Sequence, residues 1–241
     1  MRLHRYVALA PGRASCLIGV ATVMALLSGS ASAATVYSND FEGGSTADFS
    51  AGTIQLVPNA STHILGEFSQ GSSTTLTLTG LAPHSNVTLD FTLDVVGSMD
   101  GDGQNGGGPD NFVITAPSGI IFNQNFANFA GGNTQNYPTE PSAPTTGAAG
   151  VDTLGYSGFP DSGNGVQDSI YNFSLPFADT SSTLTITFAG DTSEPTSNEF
   201  YGIDNVSVGT DASASVPEPA SLALLCAGIA GLGFVRRRKH I

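Results

Sequence analysis

The chain has no tryptophan and only two cysteines, Cys16 and Cys226. Neither cysteine falls in the long middle of the sequence, which excludes disulfide staples, a thiol nucleophile and cysteine-ligated zinc there. The absence of positive charge is sharper still. No lysine or arginine occurs between Ala34 and Val235; the seven basic side chains are Arg2, Arg5, Arg13, Arg236, Arg237, Arg238 and Lys239. All twenty acids lie between these two groups, so the whole-chain charge of −13 understates a middle region near −20. Such a surface repels nucleic acid and anionic lipid, and neither is expected as a partner of this region. Acids that the fold brings together find no Lys or Arg there. They must be solvated, protonated or neutralised by a cation. Calcium is the cofactor this implies; the alternative is acids spread over the surface for solubility.

Long apolar runs are also missing, except at the two ends. Residues 1–33 have the organisation of a secretory signal peptide, with a basic start, an apolar stretch Leu17–Leu27 and a small-residue cleavage site, Ala31-Ser32-Ala33. Cleavage there begins the mature chain at Ala34. Cys16 is no lipoprotein signal, because Arg13 stands where an aliphatic residue is required. At the other end, Val216-Pro217-Glu218-Pro219 precedes an apolar run, Leu222–Val235, and the cluster Arg236–Lys239. The two prolines keep a helix from starting earlier. Fourteen residues make roughly 21 Å of helix, short of a hydrocarbon core of about 30 Å. Counting from Pro219 gives roughly 25 Å, usable with local thinning. The four cations would stay on the cytoplasmic side, with Val216–Pro219 on the far face.

This tail resembles the PEP-CTERM sorting signal of Gram-negative, often biofilm-forming bacteria. Pro217, Glu218 and Pro219 match the motif, residues 220–235 the membrane helix, and Arg236–Lys239 the stop signal. The resemblance implies an exosortase-like membrane protease as partner, membrane attachment through the helix before processing, and a final place on the cell surface or outside the cell. The expected organisation is a signal peptide over 1–33, a domain over 34–211, a linker over 212–219, the helix over 220–235 and a basic tail over 236–241.

The middle reads as all-β. Alternation is cleanest in Val87–Val95 and recurs in Thr75–Thr79, Leu184–Phe188 and Ile203–Val208. Shorter candidates are Thr35–Tyr37, Thr53–Val57, Phe112–Thr115, Gly119–Phe122 and Ile170–Leu175, with one more within Val151–Tyr156. No sustained helical stripe is present. Eight or nine strands separated by Gly, Asn, Asp and Pro turns predict an antiparallel two-sheet sandwich, jelly-roll-like, flanked by the signal helix and the membrane helix. Two segments interrupt the strands: the Asp-Gly loop Ser98–Asp110, and a Gly/Asn/Pro-rich stretch from Ala127 to Val166, whose length suggests function or mobility.

The loop ending in Gly108-Pro109-Asp110, the later Phe126-Ala127-Asn128 and Thr134-Gln135-Asn136-Tyr137-Pro138, and the closing Gly202–Val206 resemble exported β-sandwich proteins that carry PEP-CTERM tails. The opening Asp40-Phe41-Glu42 and closing Ile203-Asp204-Asn205-Val206 are similar to jelly-roll carbohydrate-binding modules. In those modules the first and last strands share a structural calcium, and the resemblance puts Asp40, Glu42 and Asp204 in that role. A second set comes from the loop itself. Asp100 and Asp102 are spaced like the first ligands of an EF-hand, but Asn105 and Asn111 stand where Gly and Glu are required, so the expected site is a non-EF loop using Asp100, Asp102 and Asp110.

Catalysis has little behind it. The middle contains only His63 and His84 and no G-x-S-x-G elbow. His84 reads as a turn residue and His63 as a surface strand position. The sequence therefore describes a non-enzymatic surface or extracellular-matrix protein, associated with biofilm or exopolysaccharide. One alternative is a calcium-stabilised carbohydrate-binding module, with Tyr137, Tyr156, Phe159 and Tyr201 as sugar-stacking rings unless buried. The third is a glycoside hydrolase using paired carboxylates.

Overall fold

The computed structural model describes residues 33–59, 62–102, 107–129, 131, 133–160 and 166–211. The signal helix, the Pro-Glu-Pro motif, the membrane helix and the basic cluster lie outside the described residues. No helix long and apolar enough to cross a membrane occurs among those that are described.

Eleven strands run in the order β1 (Ala33–Asn39), β2 (Thr53–Leu56), β3 (His63–Phe68), β4 (Ser72–Thr79), β5 (Asn86–Gly97), β6 (Asn111–Ala116), β7 (Gly119–Asn125), β8 (Gly150–Val151), β9 (Asp168–Ala178), β10 (Thr183–Asp191) and β11 (Glu199–Asp211). They form two antiparallel sheets. The larger has the order β2-β3-β11-β5-β9-β8, with β1 also on β11; the smaller is β4-β10-β6-β7. The expected two-sheet sandwich is present, with more strands than the alternation revealed. The strand expected within Val151–Tyr156 shrinks to the two residues of β8, and β3 is an addition.

Strand β5 shows why the sheets pack as they do. Val87, Leu89, Phe91, Leu93 and Val95 point into the core, while Thr88, Asp90 and Thr92 stay half-exposed on the other face. Phe91 meets Phe112 and Phe188 of the opposite sheet at ring distances of 6.3 and 5.9 Å, and Phe173 of its own at 5.2 Å. From Asp94 onward both faces of β5 are buried. The outer face is covered there by a second apolar cluster of Val57, Ile64, Val96, Leu154 and Phe200, with Tyr156 and Phe159 packed on it. On β4, Thr74, Leu76 and Leu78 face inward and Thr75, Thr77 and Thr79 outward, where Thr75 and Thr187 pair their hydroxyls at 2.9 Å across the strands.

The described part of the long segment from Ala127 is ordered around buried amides. The side-chain oxygen of Gln135 accepts from the Ala127 and Thr145 amides (3.2 and 3.1 Å), and its nitrogen donates to Thr146 O (3.0 Å). Asn128 donates to the carbonyls of Val95 and Gly97 at 2.9 and 3.1 Å. These bonds satisfy backbone groups that a buried loop would otherwise orphan.

Strand β11 organises both ends of the sandwich. Its first half pairs with β3 and its second half with β1, the change falling around Asp204. Ala33 pairs with Asp211, so the chain enters and leaves the sandwich on neighbouring strands at one end. Glu199 opposes Gly97 at the other end. The thirteen residues of β11 span roughly 40 Å at about 3.3 Å per residue.

Candidate metal centre

Without lysine or arginine, several acids of the sandwich find other donors. Asp168 Oδ1 accepts from the amides of Thr153 and Leu154 at 2.8 and 3.0 Å. Asp211 Oδ1 accepts from Ser85 and Asn86 N–H, both at 2.8 Å. Asp179 Oδ1 accepts from Ser181 N–H at 2.8 Å and lies 3.4 Å from His84 Nε2. Backbone amides do here what Lys and Arg do in most domains.

One cluster departs from that pattern. At the end of the sandwich where β5, β6, β10 and β11 meet, Asp100, Asp110, Glu194 and Glu199 each bring one carboxylate oxygen within 4.8 Å of the others. Asp110 and Glu199 are fully buried, Asp100 and Glu194 half-buried. Asp110 Oδ2 accepts from Asp100 N–H at 2.8 Å and Oδ1 from Ser193 N–H at 3.2 Å. Its backbone carbonyl accepts from the hydroxyl of buried Tyr201 at 2.6 Å. Ser193 Oγ accepts from Gly108 N–H (2.8 Å) and donates to Glu194 Oε2 (2.6 Å). Asn133 donates to Asp100 Oδ1 at 2.8 Å.

Glu199 is different. Both of its oxygens are buried and neither accepts a hydrogen bond. The groups that act on it are themselves carboxylates. Burial first, then Asp110 and Glu194, pushes the Glu199 carboxyl up to about 10, and burial likewise raises Asp110. Two acids so placed need a shared proton or a cation between them. Gly107 closes the site from the loop side. A Cβ there would stand 2.3 Å from Asp100 Oδ2 and 3.1 Å from Glu194 Oε1, at a φ of +87°. Only glycine lets the backbone pass so close.

Of the three residues of the expected loop set, the structure brings two into this cluster. Asp100 and Asp110 belong to the cluster, but Asp102 does not. It accepts from the amide of Thr134 at 3.3 Å and from its hydroxyl, and its own amide donates to Thr134 O at 2.8 Å. Glu194 and Glu199 take the remaining places. They lie some ninety residues on, in Ser193-Glu194-Pro195-Thr196-Ser197-Asn198-Glu199. The one sequence cue is that this segment, with two acids, leads directly into the last strand.

The other expected set, Asp40, Glu42 and Asp204, gathers at the corner where β11 changes partner, without forming a comparable cluster among the described residues. Glu42 Oε1 accepts from the Thr62 hydroxyl and from His63 N–H, both at 2.7 Å, and Oε2 lies 2.9 Å from His63 Nδ1. The His63 and Thr62 bonds draw its carboxyl down to about 2. Thr62 also reaches Asp204 Oδ2 at 3.4 Å. Burial pushes Asp204 up to about 6, with Glu42 and Asp40 adding repulsion. Asp40 Oδ1 caps the turn by accepting from Glu42 N–H at 3.2 Å.

Of the four sugar-stacking candidates, Tyr201 is fully buried and is a core residue, which removes it. Tyr137 packs against the core through Phe126, Tyr171 and Phe173 at 5.4, 5.5 and 5.2 Å. Tyr156 and Phe159 are half-buried on the outer face, against Phe200 at 5.5 and 6.2 Å. His84 is more than a turn residue: it is buried, with Nδ1 2.8 Å from Ala82 O.

A family model of the PEP-CTERM protein-sorting motif matches residues 215–239. The chain therefore carries that sorting motif, which supports export and processing by an exosortase-type protease. No curated protein matches. Among solved structures, the dimeric latent PorU from Porphyromonas gingivalis is similar with a TM-score of 0.32 at 12% identity, over 59% of this chain and 10% of that one. A family GH115 4-O-methyl-α-glucuronidase, BtGH115A, with specificity for decorated arabinogalactans, gives 0.33 at 12% identity, over 73% and 17%. The chain spans less than a fifth of the length of either, and likeness at this level transfers no activity.

Proposed function

We propose that this is an exported, non-enzymatic β-sandwich protein of the cell surface or extracellular matrix, trimmed at its tail by an exosortase-type protease and working among exopolysaccharides. The observation that carries this reading is the sorting motif over 215–239. Cleavage after Ala33 and near Pro217–Pro219 would remove both targeting segments, trim β1 by its first residue and leave its pairing from Ala34 with Thr210, and the other strands to Asp211, in place. The strand order, β1-β11-β5-β9 facing β4-β10-β6-β7, supports a jelly-roll reading of the sandwich.

The test is expression in a host with and without its exosortase. Mass spectrometry of the mature protein should show loss of the segment beyond the motif only when the protease is present. Replacing Pro217 and Pro219 by Ala should leave the tail attached and the protein in the membrane fraction. An identical mature mass in both hosts would sink the proposal.

The carbohydrate-binding reading rests on Tyr156 and Phe159, which pack on Phe200 at the outer face of the larger sheet. Glycan-array binding lost on Tyr156→Ala would favour it; no binding to any glycan would remove it.

A further inference from the structure

We infer that Asp100, Asp110, Glu194 and Glu199 form a binding site for one calcium ion, which pins the β5–β6 loop to the β10–β11 loop at the end of the sandwich far from Asp211.

Three independent features converge on this site. The first is geometry. Opposite ligands of a calcium ion, at about 2.3–2.6 Å, stand roughly 4.6–5.2 Å apart. Four carboxylate oxygens held within 4.8 Å of one another therefore fall within the span of one calcium shell. A magnesium shell, at about 2.0–2.1 Å, is narrower and insists on near-octahedral order. The second is the state of Glu199, fully buried with both oxygens lacking a donor. Asp110 beside it has amide partners, so Glu199 is the group left to a shared proton or to a cation. The third is the sequence. With no Lys or Arg between Ala34 and Val235, the chain itself offers no strong cation to this cluster, and among the described residues the two ion pairs use His63 and His84, elsewhere in the fold.

The surroundings hold the ligands in place. Asp110 is fixed by the Asp100 and Ser193 amides and by Tyr201 on its carbonyl. Ser193 links Gly108 to Glu194, and Gly107 keeps the loop against the oxygens. Such outer contacts orient ligands and set affinity. The ion would join residues about ninety positions apart, so its binding free energy is also folding free energy.

The test uses the full chain in detergent and terbium(III), a luminescent stand-in for calcium. The absence of Trp leaves tyrosine as the sensitiser, and Tyr201 bonds directly to ligand residue Asp110. Excitation of tyrosine should give saturable terbium emission, displaced by calcium and far less by magnesium. Glu199→Gln keeps the shape of the side chain and removes its charge. Glu194→Gln does the same at a half-exposed position. Each should weaken terbium and calcium binding by more than about tenfold, the lower end of what an outer-shell loss costs, while Glu42→Gln leaves both unchanged. Circular dichroism confirms that the variants fold, and Glu194→Gln decides the matter if Glu199→Gln does not. Emission that never saturates, or that is unchanged in Glu194→Gln and in a folded Glu199→Gln, would overturn the assignment.

Discussion

Glu199 and Asp211 are the first and last residues of one strand, β11. Glu199 faces a cluster of carboxylates, and Asp211 pairs with Ala33 of β1. The strand thus holds the carboxylate cluster and the Ala33–Asp211 pair roughly 40 Å apart.

Asp102 and Asp100 should behave differently although they are neighbours in one loop. Asp102 bonds Thr134, so Asp102→Ala should lower stability by on the order of 1–3 kcal/mol, equally in calcium and in chelator. Asp100→Ala should abolish the calcium-dependent part of stability. Melting curves of the two variants under both conditions check this.

Gly107→Ala should resemble loss of a ligand. The added Cβ falls on Asp100 and Glu194 oxygens, and the positive φ is itself strained for alanine. A calcium titration followed by melting should show the response lost.

Asp94 makes stability depend on pH. It is buried on the outer face of β5, and burial first, then Asp204 and Asp168, pushes its carboxyl up to about 8; Tyr156, itself raised partly by Asp94, also faces it. In the unfolded chain it ionises near 4. The folded state holds the extra proton between these limits, so its contribution is complete below about pH 4 and lost as pH rises through 8. Asp94→Asn should melt higher than the parent at pH 8–9, with the advantage fading towards pH 4.

Asp211 has the opposite sign. Hydrogen bonds from the Asn86 and Ser85 amides lower its pKa, so its contribution is present above about pH 4 and lost as pH falls below it. Asp211→Asn should lower the melting point at neutral pH, and the difference should close in acid.

The sandwich was legible because one-sided burial leaves a period of two, as in Val87–Leu93. The pattern fails where both faces are covered. His63–Phe68 has three consecutive buried residues, Ile64, Leu65 and Gly66, and the start of β11, Glu199–Asp204, is buried throughout. Those stretches carry no alternation, so nothing in the sequence marks β3, and β11 is marked only from Ile203. The candidate site was half legible for a related reason. Asp100 and Asp110 share a loop, but only the pairing of β11 with β5, which sets Glu199 opposite Gly97, brings the two glutamates to them.

Thermal unfolding of the full chain in detergent, in chelator and in calcium at matched ionic strength, tests the central claim most directly. A folded-state ligand raises the midpoint as its concentration climbs above Kd. The account predicts a calcium-specific rise that disappears in Glu199→Gln. A midpoint that stays flat, or that follows ionic strength whatever the ion, would reflect screening of an acidic surface and would contradict it.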